Sequence, residues 1–179
     1  MSFFVAVSLL FASNTNFNEN PGPFPITITM INWTVGDTME YSIDLGFLKG
    51  KMTKKVASEI KVDGEPCIWI STLTDLTVMK DTVEILMRRS DGKVLKIIHN
   101  GKEIAIGDDN IEIVKQEYTE VTVPAGKFKA IYVVLNTKEV KNMEIWVNSA
   151  DTVMDGMLKT ILPTQFGKAT IELLSFKKG

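Results

Sequence analysis

Apolar and polar residues alternate with period two along most of this chain, and that rhythm suits strands where it would scramble a helix. Met39, Tyr41, Ile43 and Leu45 alternate with Thr38, Glu40, Ser42 and Asp44, the pattern of an antiparallel strand with one dry and one wet face. Ile26, Ile28 and Met30 alternate with threonines in the same way. Further runs span Val56 to Val62 after a lysine-rich turn, Cys67 to Leu76, Val83 to Arg88 and Val94 to His99. Asp63-Gly64, Asp91-Gly92 and Asn100-Gly101 punctuate them, supplying the left-handed backbone that tight hairpins need.

The second half repeats the theme. Ile111 to Val123 reads as a long polar-rich strand or a bulged pair, Pro124-Ala125-Gly126 breaks it, and Phe128 to Thr137, Met143 to Val147 and Thr170 to Phe176 follow. Thr152 to Leu162 would place Val153, Met154, Met157, Leu158, Ile161 and Leu162 on one helix face with Asp151 as N-cap. Gly156 and the β-branched residues oppose that, so a loop leading into a strand is expected, turning through Gln165-Phe166-Gly167 into the last strand. The fold class is mainly β: an antiparallel curved sheet or incomplete barrel of roughly ten or eleven strands, with at most one or two short helices. Phe128, Ala130, Tyr132 and Val134 share one side of their strand while Ile131, Val133 and Leu135 share the other. Apolar character on both sides requires cover on both, by a curled sheet, a helix or a ligand.

Residues 1–13 stand apart. Phe3 to Phe11 is a short apolar run followed by Ala12 and Ser13, resembling the hydrophobic core and small-residue end of a secretory signal peptide and too short to span a membrane as a helix. No Lys or Arg precedes it. Leu10, Phe11 and Ala12 form a lipoprotein-like cleavage box with Ser13 where the lipidated cysteine belongs, so no lipidation is expected. Residues 14–25 hold three of the six prolines and read as a linker, leaving 26–179 as a single β domain. The expected location is periplasmic or otherwise extracytoplasmic.

Chemistry-bearing constellations are sparse. Cys67 is the one cysteine and His99 the one histidine, which excludes an intramolecular disulfide and a Cys/His zinc site. Cys67 sits in an apolar strand as a buried, inert thiol. His99 lies at a strand end with no Gly-x-Ser-x-Gly elbow in the chain, and reads as structural. Asp108, Asp109, Asn110 and Glu112 lack the calcium-loop spacing and read as a turn. Lys49, Lys51, Lys54 and Lys55, with Lys61 beyond, form the basic stretch; on a strand Lys49, Lys51 and Lys55 share a side and Lys54 faces away. A solvated strand edge explains them, and no interleaved aromatics suit nucleic acid. A net charge of -2 supplies no field for polyanions either. Trp69 and Trp146 read as core aromatics. No metal, cofactor or catalytic set is expected.

Glu120 to Leu135 carries Val123, Pro124, Ala125, Gly126 and Phe128. This run resembles the VPAGxF strand–turn–strand of a group of bacterial exported β proteins of unassigned function. In that group a Trp-Val strand and a closing hairpin follow, and here Ile145-Trp146-Val147, Phe166-Gly167-Lys168 and Glu172 to Phe176 stand in that order. The group is similar in architecture to the periplasmic lipoprotein carriers and their receptors, whose half barrel surrounds acyl chains. The resemblance covers residues 118–176. It implies an envelope location and an apolar cavity, and it supplies no catalytic residue. With nine methionines in the chain, whose thioethers suit adaptable apolar pockets, the cavity candidates are Met39, Tyr41, Met87, Phe128, Tyr132, Met143, Trp146 and Met157. The expectation is a non-enzymatic exported protein that binds an apolar or lipid-like small molecule or handles envelope components. The alternative is a structural or interaction module contacting an envelope protein. No transmembrane span is expected.

Overall fold

The computed structural model describes residues 31–107, 111–164 and 167–179. The signal-like segment, the linker, the strand expected at Ile26 to Met30 and the Asp108–Asn110 cluster lie outside the described residues. Within them there is no helix, and eleven strands run in chain order: β1 (Thr38–Asp44), β2 (Lys49–Val62), β3 (Glu65–Leu76), β4 (Met79–Arg88), β5 (Val94–His99), β6 (Lys102–Ile104), β7 (Glu112–Val123), β8 (Gly126–Asn136), β9 (Met143–Val147), β10 (Met157–Thr164) and β11 (Gly167–Lys177).

They form one antiparallel sheet in the order β6-β5-β4-β3-β2-β1-β11-β10-β9-β8-β7. Two meanders, β1 to β6 and β7 to β11, are sewn together by the long-range pairing of β1 with β11. The sheet cannot be flat. Eleven strands laid flat would set β6 and β7 about 48 Å apart at roughly 4.8 Å per strand. The chain from Ile104 to Glu112 spans at most about 29 Å when fully extended. The sheet therefore curls. At its β7 side the roll is tight: β7 approaches β10 and β11, and the Ala125 amide in the β7–β8 turn donates to the Leu173 carbonyl of β11 at 3.0 Å.

Curling gives the sheet an inner face, and period two decides what lines it. Met39, Tyr41 and Ile43 of β1, Ile68 and Ile70 of β3, Val83, Ile85 and Met87 of β4, and Ile171 and Leu173 of β11 belong to one buried cluster. Strand β8 buries Ala130 on one parity and Val133 and Leu135 on the other. Thr152 to Leu162 resolves as a loop that runs into β10, as expected. Asp63 (φ 51°) with Gly64 (φ 85°) and Asn100 (φ 49°) with Gly101 (φ 77°) make two-residue turns in the left-handed region.

Two expectations are corrected. The lysine-rich stretch is neither a turn nor an edge. The turn lies earlier, at Leu45 to Leu48, closed by the Leu45 amide on the Leu48 carbonyl at 2.9 Å. Lys49, Lys51, Lys54 and Lys55 lie in β2, which is flanked on both sides by β1 and β3. Their positions are acceptable because alternation turns most of them to the wet side, while Lys54 points inward and is buried. Trp69 is not a core aromatic but half-buried, because its apolar neighbours Ile68 and Ile70 occupy the inner parity, whereas Trp146 is half-buried and packs against the inner cluster.

In the β4–β5 turn, Arg88 Nε donates to Asp91 Oδ1 at 2.9 Å, Arg88 Nη2 donates to Oδ2, and the Lys93 amide donates to Oδ1 at 3.0 Å. The Arg88 guanidinium, ahead of the Lys93 amide, pushes the Asp91 carboxyl down to about 2. A folded-state pKa below the unfolded value of about 3.9 gives stabilisation that is complete above about pH 5 and lost as pH falls toward 2. Both side chains are about one-third exposed or more, so solvent screening keeps the contribution of the pair small. Asp91→Asn should therefore lower the urea midpoint slightly at about pH 6, and the gap from the native chain should vanish near pH 2.

Candidate functional site

Across the inner face, strand register lines residues up in rows. One row runs Met39–Lys54–Thr72–Val83–His99 over β1, β2, β3, β4 and β5. The next runs Tyr41–Met52–Thr74–Asp81. Both are embedded in the apolar cluster, yet they contain Lys54, Thr72, Thr74 and Asp81, all buried. These side chains form a polar seam in an otherwise dry face.

The seam has two ends. At the β5 end, Asp81 Oδ1 accepts from Asn100 Nδ2 at 2.9 Å and lies 2.6 Å from His99 Nε2. Asn100 is held in turn by the Thr82 amide at 2.9 Å. This cluster ties the β5–β6 turn to β4. An acid beside His99 is one element of a general-base arrangement, and sequence reasoning missed it because the partners are 18 residues apart and meet only through the β4–β5 register. Among the described residues no Ser, Thr or Cys side chain is hydrogen-bonded to His99. No group of three or more metal-ligating side chains exists among the described residues either.

At the β1 end, Lys54 pairs with Asp155, with side chains only 6% and 10% exposed. A buried cation needs a buried anion, because desolvating an ammonium alone costs several kcal/mol. Here the anion comes not from the sheet but from the loop between β9 and β10. That loop is strongly shaped: Asn148 Oδ1 accepts the Ala150 and Asp151 amides at 3.0 and 2.9 Å, and the Asn148 amide donates to the Gly156 carbonyl at 2.8 Å. Met154 (φ 56°) and Gly156 (φ 71°) adopt left-handed backbone, and Val153 and Met154 are driven into the core. The loop thus covers part of the inner face. The Trp33 ring lies over Lys54 Nζ at 5.5 Å.

Tyr41 joins the same corner. Its hydroxyl donates toward the Met157 carbonyl and the Met39 sulfur, each at 3.2 Å. Burial first, and then the nearby Asp155 charge, raise its pKa well above the ordinary tyrosine value. Two polar atoms of the seam, Thr72 Oγ1 and Asp81 Oδ2, are buried with no hydrogen-bond partner among the described residues.

The cavity candidates from the sequence fall into two places. Met39, Tyr41, Met87, Met143 and Met157 are completely buried in the inner cluster, and Phe128 packs against it half-buried. Met39, Tyr41 and Met157 touch one another through the tyrosine hydroxyl. Tyr132 and Trp146 pair with each other, ring centroids 4.7 Å apart and tilted by 37°, and Trp146 also packs against the inner cluster. Around them Tyr132 donates to Glu144 at 2.9 Å, Lys115 lies 5.3 Å over the Tyr132 ring, and Lys159 lies 5.9 Å over the Trp146 ring. Burial, then the Glu144 carboxylate, pushes the Tyr132 hydroxyl up to about 12. Lys54, Thr72 and Asp155 were not among the candidates. The parity of Lys54 against its neighbouring lysines was the one available signal.

The curled eleven-stranded sheet has a counterpart among solved structures. A protein from Bacteroides fragilis named as exported, with a YmcC-like fold, superposes with a TM-score of 0.52 at 11% identity, covering 85% of this chain and all of that one. That likeness shows the fold. A protein named as a lipoprotein from Parabacteroides distasonis aligns with a TM-score of 0.47 at 12% identity, over 84% of this chain and 100% of that chain. MucB aligns with a TM-score of 0.38 at 11% identity, over 83% of this chain and 55% of its own. No protein-family model matches the chain, and no curated protein does.

Proposed function

We propose that the chain is a non-enzymatic exported protein that holds an apolar or lipid-like molecule against the inner face of its curled sheet. One observation carries this reading: the inner face is lined by deformable side chains and is covered in part by an irregular loop. Met39, Met52, Met87, Met143 and Met157 all lie in that cluster, and thioether side chains repack around irregular guests at low cost. The loop of residues 148–156 can part from the sheet without breaking a strand ladder. The apolar N-terminal run, the VPAGxF-like hairpin and the exported name of the similar Bacteroides protein agree with work in the cell envelope and with the architecture of lipoprotein carriers.

The test is to export the whole chain from a bacterial host, purify it without detergent, and record native and denaturing mass spectra. Loss of the first dozen or so residues together with a lipid-sized adduct is the expected result. An uncleaved, bare protein would overturn both the location and the ligand.

A second reading has its own observation. Strand β7 is 12 residues long, stands at one edge of the sheet and exposes Val114 and Tyr118. An open edge of that length pairs readily with another chain, as an envelope interaction module would. A bare mature protein that runs as an oligomer or with a bound protein favours this reading over a lipid site.

A further inference from the structure

Lys54 is a buried charge set beside the apolar corner of Met39, Tyr41 and Met157, and its counter-ion Asp155 belongs to the covering loop. Beside it in the same row, Thr72 is 3% exposed and its hydroxyl has no hydrogen-bond partner among the described residues. A purely structural ion pair does not call for an idle buried hydroxyl alongside it, since each such group costs free energy. Lys54 and Thr72 are paired across adjacent strands whose backbones lie roughly 5 Å apart, and an ammonium and a hydroxyl are the donors that a carboxylate recognises.

We propose that Lys54 and Thr72 form the headgroup site for a long-chain carboxylate, and that Asp155 occupies that site as an internal stand-in for the ligand. This deepens the apolar-ligand reading and rests on it: it names the headgroup. On binding, the ligand carboxylate takes the place of the Asp155 carboxylate at Lys54 Nζ and accepts from the Thr72 hydroxyl. Asp155 moves to water with the loop. Charge is conserved at the site, one carboxylate replacing another, and the acyl chain lies along Met39, Tyr41 and Met157. A carboxylate headgroup is favoured over a dianionic one because the stand-in is itself a single carboxylate. The buried surroundings reject excess charge for the same reason that Lys54 needs its partner.

The experiment titrates the full chain with oleate and with oleyl alcohol, which share a chain and differ in headgroup, by calorimetry below their aggregation concentrations. Asp155→Asn removes the competitor and should tighten oleate at least about tenfold while leaving the alcohol nearly unchanged, because the competent state no longer competes with an internal anion. Thr72→Val should weaken oleate several-fold and spare the alcohol. The paired variant Lys54→Met with Asp155→Leu guards against a simple folding defect, because both charges are removed together. It should bind both ligands equally well. Retention of an oleate preference by that folded double variant, or no gain for oleate in Asp155→Asn, overturns the headgroup site while alcohol binding leaves the apolar reading intact. Failure of the native chain and every variant to bind either ligand overturns both.

Discussion

Lys54→Met alone should destabilise the protein by about 3–5 kcal/mol, whereas Lys54→Met combined with Asp155→Leu should be close to neutral. The reason is an asymmetry of buried charge. The pair is nine-tenths buried or more on both sides, so its Coulombic attraction is largely offset by the desolvation of two ions. Removing one partner keeps the desolvation cost of the other and forfeits the attraction. The lone Asp155 is then drawn toward water with its loop, exposing Val153 and Met154, which are buried in the core. For a chain of this size the single variant should lower the melting temperature by roughly 6–20 °C, at about 2–4 °C per kcal/mol. Urea denaturation of the two singles and the double closes a mutant cycle. A coupling energy near zero would mean that Lys54 and Asp155 do not interact as described.

Gly156→Ala should cost roughly 3 kcal/mol or more, the combined strain of a left-handed non-glycine residue and a displaced backbone. Gly156 has φ +71°, and a Cβ there would stand 2.2 Å from the Ser149 nitrogen and 2.5 Å from its Cα. Those atoms are backbone and cannot swing aside as a side-chain tip would. The loop has to open, which withdraws Asp155 from Lys54 at the same time. Gly46→Ala is the matched control: its φ is +84°, yet nothing lies within 4 Å of the added Cβ. It should cost only about 1–2 kcal/mol, the price of left-handed backbone in an alanine. Equal losses in the two variants would show that the close approach at Ser149 is not rigid.

Much of this architecture was legible in the amino acids. Strand β1 is the clearest case, since Met39, Tyr41 and Ile43 sit on the buried parity that alternation assigns. Asp63-Gly64 and Asn100-Gly101 turn where their backbone freedom allows. Gly156 and its β-branched neighbours argued correctly against a helix before β10, which begins at Met157. Trp69 misled for a physical reason: a large aromatic side chain invites a core assignment, but there the strand phase set by the flanking Ile68 and Ile70 outweighs side-chain size. Lys54 misled in the opposite sense, because a lysine among lysines looks solvated until its parity is counted.

Local residue order was enough to mark most of the strands, the turns at Asp63-Gly64 and Asn100-Gly101, and the dry side of a strand as regular as β1. Those properties depend on φ/ψ preference and on alternation between near neighbours. Only in the folded sheet does β1 pair with β11, the Ala125 amide reach Leu173, and Asp155 meet Lys54 across 101 residues of chain. Strand order and the partner of a buried charge follow from how curvature and burial are satisfied over the whole sheet at once. No local pattern of residues encodes that sum.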